Sequence, residues 1–229
     1  MTPSNLSPTP TFLQSLPDRD RVALLATGRG RHWQSGETLV RRGDPADSAI
    51  VLLAGRVKIH TSVQGAEVLL GLSGPGDLLG EVSAGARDAA RSATATALEP
   101  VEAVVIAVPS LRSFLAAHPQ ATLALLDLAL TRLYTADARR MEFATSESLA
   151  RVAGRLVELA ERFGEQSANG AIDVALPITQ EELASWSSSS RESTARALRT
   201  LRSLRLIETY RRRLTILDLD GLRSHTPRM

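Results

Sequence analysis

The sequence predicts an α+β chain: an antiparallel sandwich or barrel first, then a long helix, then a winged helix-turn-helix. Three observations predict this order. Short apolar runs separated by Gly and Pro turns fill residues 32–108, which is typical of antiparallel sheets. Leucines at helical spacing come next. Near the C-terminus a helix-capping pattern precedes a basic helix and a basic turn.

Six strands are predicted in the N-terminal half, after an uncharged tail and a short amphipathic helix from about Leu13 to Thr27. The helix is expected to bury Leu16, Val22, Leu24 and Leu25. The predicted strands are Thr38–Val40, Ala49–Leu53, Val57–His60, Val68–Leu72, Ala93–Ala97 and Ala103–Val108.

A long helix is predicted from Gln120 to about Ala144. Its leucines fall at spacings of 3, 4 and 3, which is the pattern of a seam between two helices. These leucines are Leu123, Leu126, Leu130 and Leu133. The next seam positions, Asp137 and Arg140, are polar. Two interpretations stay open from the pattern: a helix packed on its own domain, or a dimer helix.

The C-terminal part is predicted to form a winged helix-turn-helix. An amphipathic helix from Ser148 to Phe163 and a strand at Ala171–Leu176 come first. Thr179 and Glu182 then form a capping box that opens a helix. The remaining predicted elements are a turn at Ser187–Ser190, a helix at Arg191–Leu204, and strands at Leu206–Thr209 and Leu214–Leu217 around the basic turn Arg211–Arg213.

The charge distribution predicts a contact with a polyanion. The net charge is only +2, yet residues 186–213 hold eight Arg against Glu192 and Glu208. Arg191, Glu192 and Arg196 fall on the exposed face near a helix N-terminus, where Arg suits guanine and Glu suits cytosine. Arg199, Arg202 and the arginines of the wing are expected at phosphates. The alternative is a solvated basic helix with surface ion pairs.

Composition excludes several classes of protein. The chain has no Cys, which excludes disulfide scaffolds, Cys zinc fingers, iron–sulfur clusters and Cys nucleophiles. The four His residues form no local metal motif. No apolar run approaches the roughly 18 residues of a membrane span. Without a secretory signal or a catalytic constellation, a soluble cytoplasmic protein that is not an enzyme is expected.

A second candidate site combines Gly80-Glu81 with Arg91-Ser92. A Gly lets backbone amides approach a phosphate, and a carboxylate accepts from a ribose hydroxyl. Arg91 offers a planar fork to a phosphate, and Ser92 adds a hydroxyl. The alternative is an ion pair between Glu81 and Arg91 within a loop that binds no ligand.

Residues 12–222 together resemble transcription regulators of the CRP/FNR type. The motifs that carry the resemblance are Gly36-Glu37, Arg42-Gly43-Asp44, Gly55-Arg56-Val57, Gly76-Asp77, Gly80-Glu81, Arg91-Ser92-Ala93-Thr94, Val152-Ala153-Gly154-Arg155 and Ser190-Arg191-Glu192 with Arg196. The resemblance implies a β-roll of the jelly-roll type that binds a cyclic nucleotide (residues 12–119). It also implies a dimerisation helix (120–145) and a winged helix that binds DNA (146–229).

The same resemblance implies partners and site residues. The expected partners are palindromic double-stranded DNA, a second copy of the chain, a cyclic nucleotide (cyclic AMP first) and RNA polymerase, with no membrane, metal or cofactor. Expected ligand-binding residues are Gly80 and Glu81 for the ribose, Arg91 and Ser92 for the phosphate, and Arg140 and Met141 on the dimer helix. Expected DNA-binding residues are Thr179, Ser190, Arg191, Glu192, Arg196, Arg199 and Arg212.

The sequence departs from the family pattern at two places. Counting fifteen residues back from Arg155 puts Arg140 and Met141 where members that respond to cyclic AMP usually have Thr followed by Ser or Asn. Ser188 stands in the helix-turn-helix where Gly is usual. Two alternatives therefore stay open. One is the same DNA-binding dimer acting without a ligand or with another, such as a cyclic dinucleotide. The other is a nucleotide-binding module that docks on protein instead of DNA.

Overall fold

The computed structural model describes residues 10–81, 90–168, 170–175, 178–210 and 213–227. Within these ranges the chain forms two compact units. One contains residues 10–66 and 70–136, and the other contains residues 67–69 and the chain from Asp137 onward. Among the described residues, no helix has the length and apolar character that crossing a lipid bilayer requires.

The N-terminal part is a sandwich of two four-stranded antiparallel sheets, with strand orders β1-β8-β3-β6 and β2-β7-β4-β5. The strands are β1 (Arg29–Trp33), β2 (Thr38–Val40), β3 (Ser48–Ala54), β4 (Val57–Val63), β5 (Ala66–Ser73), β6 (Leu78–Leu79), β7 (Thr94–Ala97) and β8 (Val101–Ala107). The six predicted strands are confirmed. Two strands were missed: β6 has only two residues, and the edge strand β1 is polar and exposed over its first four residues.

Helices flank this sandwich: α1 (Asp18–Ala26), α2 (Val108–Ala117) and α3 (Pro119–Thr145). The predicted N-terminal helix begins later than expected, after Pro17, and it buries Leu24. Leu16 is also buried, but Val22 is 70% exposed, so its predicted place in the core is wrong. A single-residue break at His118 separates α2 from α3, and Pro119 takes the first position of α3, where its missing N–H costs nothing.

The long helix α3 presents two different faces. Ala121 and Ala124 are buried against the sandwich, and Leu125 and Leu128 pack beside them. The predicted seam leucines point elsewhere and are 41–56% exposed: Leu123, Leu126, Leu130 and Leu133. Packing on its own domain is therefore correct for one face of α3, and the leucine stripe lies on the other.

The C-terminal unit contains the predicted helix-turn-helix and wing. Its helices are α4 (Ser148–Phe163), α5 (Gln180–Trp186), α6 (Arg191–Ser203) and α7 (Leu219–Ser224). Its antiparallel sheet has the order β11-β12-β10-β9, formed by β9 (Glu165–Gln166), β10 (Ile172–Ala175), β11 (Ile207–Tyr210) and β12 (Arg213–Ile216). The capping box at Thr179 is confirmed, because Thr179 Oγ1 accepts from Glu182 N at 3.1 Å and Glu182 Oε2 accepts from Thr179 N at 2.7 Å.

A charged cluster surrounds Trp186 at the end of α5. The guanidinium carbons of Arg139 and Arg155 lie 5.8 and 5.9 Å from the ring centroid of Trp186. Arg155 donates to Glu142 at 2.6 Å and to Glu158 at 3.2 Å, and Arg139 donates to Glu158 at 3.1 Å. Burial lowers the pKa of Arg155, and the two carboxylates oppose that effect. Ion pairs thus join the end of α3 to α4, and the contacts of the two guanidinium groups with Trp186 add α5.

The turn between α5 and α6 contains a strained residue. Ser188 has φ of +49°, in the left-handed region that L-residues other than Gly, Asn and Asp seldom adopt. Ser188 stands where the family pattern has Gly, and its positive φ is a conformation that glycine adopts without this strain.

Ser188→Gly should therefore stabilise the protein. Removing Cβ relieves a left-handed penalty of roughly 1–2 kcal/mol, and the extra freedom of Gly in the unfolded chain offsets part of that gain. We expect the free energy of unfolding, measured in urea, to rise by about 0.5–1 kcal/mol. The matched control is Ser189→Gly, where φ is not positive and Gly should destabilise. A loss of stability in Ser188→Gly equal to that in Ser189→Gly would contradict the strain argument.

Candidate ligand pocket and nucleic-acid interface

The first predicted ligand residues lie at the end of β6. Gly80 has φ of +80°, a conformation that favours glycine, and turns the chain after the pairing of Leu79 with Ile50. The Glu81 carboxylate then forms an ion pair with Arg132 of α3. Arg132 also donates to the Leu78 carbonyl at 2.7 Å. One guanidinium therefore holds both the end of β6 and the carboxylate predicted to bind a ribose.

Sequence analysis missed Arg132, although a signal for it exists. Arg132 lies four residues after Leu128, so it continues the stripe by which α3 packs on the sandwich. A cation at the end of such a stripe is expected to form an ion pair with a carboxylate of the sandwich on which the helix packs.

Arg91 is a buried cation. Its side chain is 6% exposed, donates to Ser48 Oγ at 3.0 Å, and lies 3.8 Å from the Asp47 carboxylate. Its main chain is fixed as well, because Arg91 N donates to the Asp44 carbonyl and Gly43 N donates to the Arg91 carbonyl. Burial lowers the pKa of the Arg91 guanidinium, and the carboxylates of Asp47, Asp44 and Glu81 oppose that shift. The neighbouring Ser92 is exposed.

Glu81 and Arg91 are thus near enough to influence each other electrostatically, but each has a different ion-pair partner. The alternative interpretation of this loop was an ion pair between Glu81 and Arg91. The described residues do not form that pair. Glu81 and Arg91 thus offer a carboxylate and a guanidinium within electrostatic range of each other, as a site for an anionic, hydroxyl-bearing ligand requires.

The two residues predicted on α3 are exposed. Arg140 has an 81% exposed side chain that donates to Asp137 at 2.9 Å, and Met141 is 59% exposed. Arg140 lies eight residues beyond Arg132, which is about 12 Å along a helix axis. Ala136, one turn beyond Arg132, is also exposed.

The predicted recognition helix is α6. Its N-cap is Ser190, whose Oγ accepts from Ser193 N at 3.1 Å. Arg191, Glu192, Arg196 and Arg199 are exposed, and Thr194, Ala197, Leu198 and Leu201 are buried. Ala195 is only partly buried, because the period of the helix turns Thr194 toward the core.

The four charged residues of that exposed face differ in their partners. Arg196 donates to Glu192 at 2.9 Å, so these two form a surface ion pair in the free protein. In the part of the chain that the structure describes, the side chains of Arg191 and Arg199 form no hydrogen bond or ion pair. They are therefore available to an incoming polyanion.

The wing is fixed by Asp173 of β10. Its carboxylate accepts from Arg213, Thr215 and Ser167, at 2.5–3.2 Å. Hydrogen bonds from Arg213, then from Thr215 and Ser167, hold the pKa of Asp173 well below its usual range. Arg213 is therefore engaged inside the wing. Arg212, predicted at a phosphate, lies outside the described residues.

Two of the other predicted contacts also have partners within the protein. The hydroxyl of Thr179 caps α5, as described above. Arg202, expected at a phosphate, donates to Thr209 Oγ1 at 3.0 Å and links α6 to β11. Helix α6 and the wing are thus held together before any partner binds.

Comparison with protein families matches both units of the chain. Residues 30–118 match the cyclic nucleotide-binding domain family, and residues 150–225 match the Crp-like helix-turn-helix domain family. The chain belongs to the CRP/FNR family of transcription regulators. The resemblance stated from the sequence is confirmed.

Individual CRP/FNR relatives agree with this assignment. A "CRP-like cAMP-activated global transcriptional regulator" from Mycobacterium tuberculosis is 35% identical over 164 residues, which cover 71% of this chain and 72% of the relative. A solved CRP-family transcriptional regulator from Thermus thermophilus is 26% identical and has a TM-score of 0.69. The match covers 85% of this chain and 95% of the Thermus thermophilus chain. FixK2 from Bradyrhizobium japonicum is 17% identical and has a TM-score of 0.75. The match covers 88% of this chain and 98% of FixK2, and it shows the shared fold.

CRP/FNR membership decides between the functional classes left open by the sequence. The chain is a DNA-binding transcription regulator with a cyclic nucleotide-binding domain, as are relatives that match it over most of its length. The alternative of a module that docks on protein instead of DNA is therefore wrong.

Proposed function

We propose that this regulator is a homodimer whose DNA binding is controlled by a cyclic nucleotide held beside Arg91 and Glu81. The observation that carries the proposal is the buried guanidinium of Arg91 within the matched cyclic nucleotide-binding domain. A buried cation is costly unless it is paired, and among the described residues the ion pair of Arg91 is with Asp47, at 3.8 Å. A cyclic phosphate would supply the missing charge and a planar pair of acceptors.

Cyclic AMP is the first choice of ligand. The relative from Mycobacterium tuberculosis is described as cAMP-activated and shares 35% of its residues with this chain over the aligned region. In our proposal Gly80 and Glu81 bind the ribose, and Arg91 and Ser92 bind the phosphate. RNA polymerase is proposed as a further partner, because the protein is a transcription regulator.

The homodimer is supported by the leucine stripe of α3. Four leucines at seam spacing are 41–56% exposed in the single chain, and a second copy would bury them. Two recognition helices held about 34 Å apart would then match successive turns of a palindromic site. A ligand controls binding only if it favours one arrangement of the helices over another.

A second candidate is a dimer that binds DNA without a ligand or with a cyclic dinucleotide. Its supporting observation is that Arg132 already neutralises Glu81, and Asp137 already neutralises Arg140. Calorimetric titration of the purified protein with cyclic AMP, cyclic GMP and a cyclic dinucleotide separates the two candidates. We expect heat from cyclic AMP and tighter DNA binding in its presence. DNA binding of equal strength with and without each ligand would favour the second candidate.

Arg91→Ala should weaken binding of cyclic AMP. The variant loses a charge-assisted contact, so we expect affinity to fall about 10- to 100-fold in calorimetry. Arg42→Ala is the matched control: it removes an equal charge from the same unit, from a side chain that binds Thr61. Unchanged affinity in Arg91→Ala, or an equal loss in Arg42→Ala, would remove Arg91 from the phosphate site.

We predict that the purine base of the cyclic nucleotide contacts the turn of α3 that follows Arg132. Arg132 meets Glu81, so Ala136 is the next residue on the same face, whereas Arg140 lies a further turn away. A wild-type Ala offers no hydrogen bond to a purine, which predicts poor selectivity between cyclic AMP and cyclic GMP. Ala136→Thr should raise affinity for cyclic AMP about tenfold, as one added hydrogen bond allows.

Arg140→Thr tests the position obtained by counting back from Arg155. A larger gain in affinity for Arg140→Thr than for Ala136→Thr would place the base contact at Arg140. Tight wild-type binding of cyclic AMP with strong selectivity over cyclic GMP would contradict both positions.

Base reading by α6 is tested by changes in sequence preference. Arg191→Ala and Arg196→Ala should each cost about 1–3 kcal/mol on a preferred site and flatten the preference. Arg212→Ala should weaken binding evenly across sequences and reduce the salt dependence by about one unit of slope. The measurement is fluorescence anisotropy over a salt series, on a duplex selected from a random pool and on a scrambled duplex. An intact preference in Arg191→Ala would refute the base-reading role.

A further inference from the structure

A buried arginine of α4 binds the turn between α5 and α6. Arg151 of α4 is 9% exposed, and its guanidinium donates to the main-chain carbonyls of Ser187 at 2.9 Å and Ser188 at 3.1 Å. These carbonyls directly follow the last residue of α5. Helix C-termini leave carbonyls without intrahelical partners and carry partial negative charge. The cation thus lies where a helix end favours one.

The same guanidinium reaches the linker between α3 and α4. It donates to the main-chain carbonyl of Ser146, one residue after α3 ends, and its central carbon lies 5.7 Å from the ring centroid of Phe143. Arg151 forms no ion pair with a carboxylate among the described residues. Its charge is offset by carbonyl and hydroxyl dipoles from two separate segments of the chain.

One of these acceptors belongs to the strained residue of the turn. Ser188 has φ of +49°, and its carbonyl is bound by Arg151. A hydrogen bond from a charged donor is strong enough to offset the penalty of a left-handed conformation. Arg151 therefore supports the strained conformation of the turn, beside the main-chain hydrogen bonds of Ser188 and Ser189.

We propose that Arg151 is a positioning residue for DNA recognition, which fixes the α5–α6 turn and ties it to the linker that follows α3. The proposal rests on α6 being the recognition helix. Arg191 begins α6 only three residues after Ser188, so a change in the turn displaces the N-terminal end of α6. Bidentate contacts to bases require accurate placement, whereas contacts to phosphates tolerate displacement. Loss of Arg151 therefore lowers affinity for a preferred site more than affinity for an unrelated one.

The test compares Arg151→Gln and Arg151→Lys with wild type in the full chain. Lys retains the charge but lacks the planar guanidinium group, which donates to several carbonyls at once. The probes are a labelled duplex enriched from a random pool by the wild-type protein, and a scrambled duplex of the same length. Thermal melts set a temperature at which every variant is folded. Arg162→Gln is the matched control, because Arg162 is an exposed arginine of the same helix.

We expect both Arg151 variants to lose about tenfold in affinity for the enriched duplex and less than about threefold for the scrambled one. Ser188→Gly added to Arg151→Gln should restore most of the lost affinity, because a glycine needs no support in the left-handed region. A role in stability alone would leave the ratio of the two affinities unchanged in folded protein.

Three results would overturn the proposal: an unchanged ratio in both Arg151 variants, an equal change in Arg162→Gln, or no recovery on adding Ser188→Gly. Arg191→Ala is measured alongside. If Arg191→Ala lowers the ratio and the Arg151 variants do not, only the role of Arg151 fails. If Arg191→Ala leaves the ratio intact, the assignment of α6 fails and this inference fails with it.

Discussion

The packing of α3 against the sandwich is the constraint on which the N-terminal unit depends. Ala121 and Ala124 are small, so the helix axis comes close to the sheet and its larger neighbours fill the space beside it. That approach turns the leucine stripe away from the sandwich. It also brings Arg132 within reach of Glu81 and of the end of β6. One helix therefore closes the core, leaves an apolar face outside, and completes the charged site.

Three buried arginines show how differently the chain satisfies a cation. Arg155 faces two carboxylates, and Arg151 faces carbonyls at the end of a helix. Arg91 has one hydroxyl at hydrogen-bond distance and a carboxylate that is farther away. Among the described residues, Arg91 therefore has fewer acceptors at hydrogen-bond distance than Arg151 or Arg155. Arg91 is thus the proposed place for an anionic ligand, whereas Arg151 and Arg155 have structural roles.

Most of the fold could be predicted from the sequence because its signals are local. Gly and Pro turns separated the strands, and Thr179 with Glu182 indicated α5 through a capping box that the structure contains. The polar edge strand β1 and the two-residue β6 gave no periodic signal, because pairing partners far along the chain decide them. Arg132 was missed for the same reason: its role depends on which face of α3 meets the sandwich. Counting along a helix, as for Arg140, measures sequence distance and says nothing of which turn reaches a pocket.

The placement of the two tryptophans gives the protein built-in optical probes. Trp33 lies in the core of the sandwich, and Trp186 lies beside two guanidinium groups in the C-terminal unit. A cation also lies near Trp33, since the guanidinium carbon of Arg31 is 5.0 Å from its ring centroid, so each indole reports on contacts within its own unit. With one tryptophan in each unit, replacing either by phenylalanine isolates the emission of the other. Events in the two halves of the regulator can thereby be followed separately, without any attached dye.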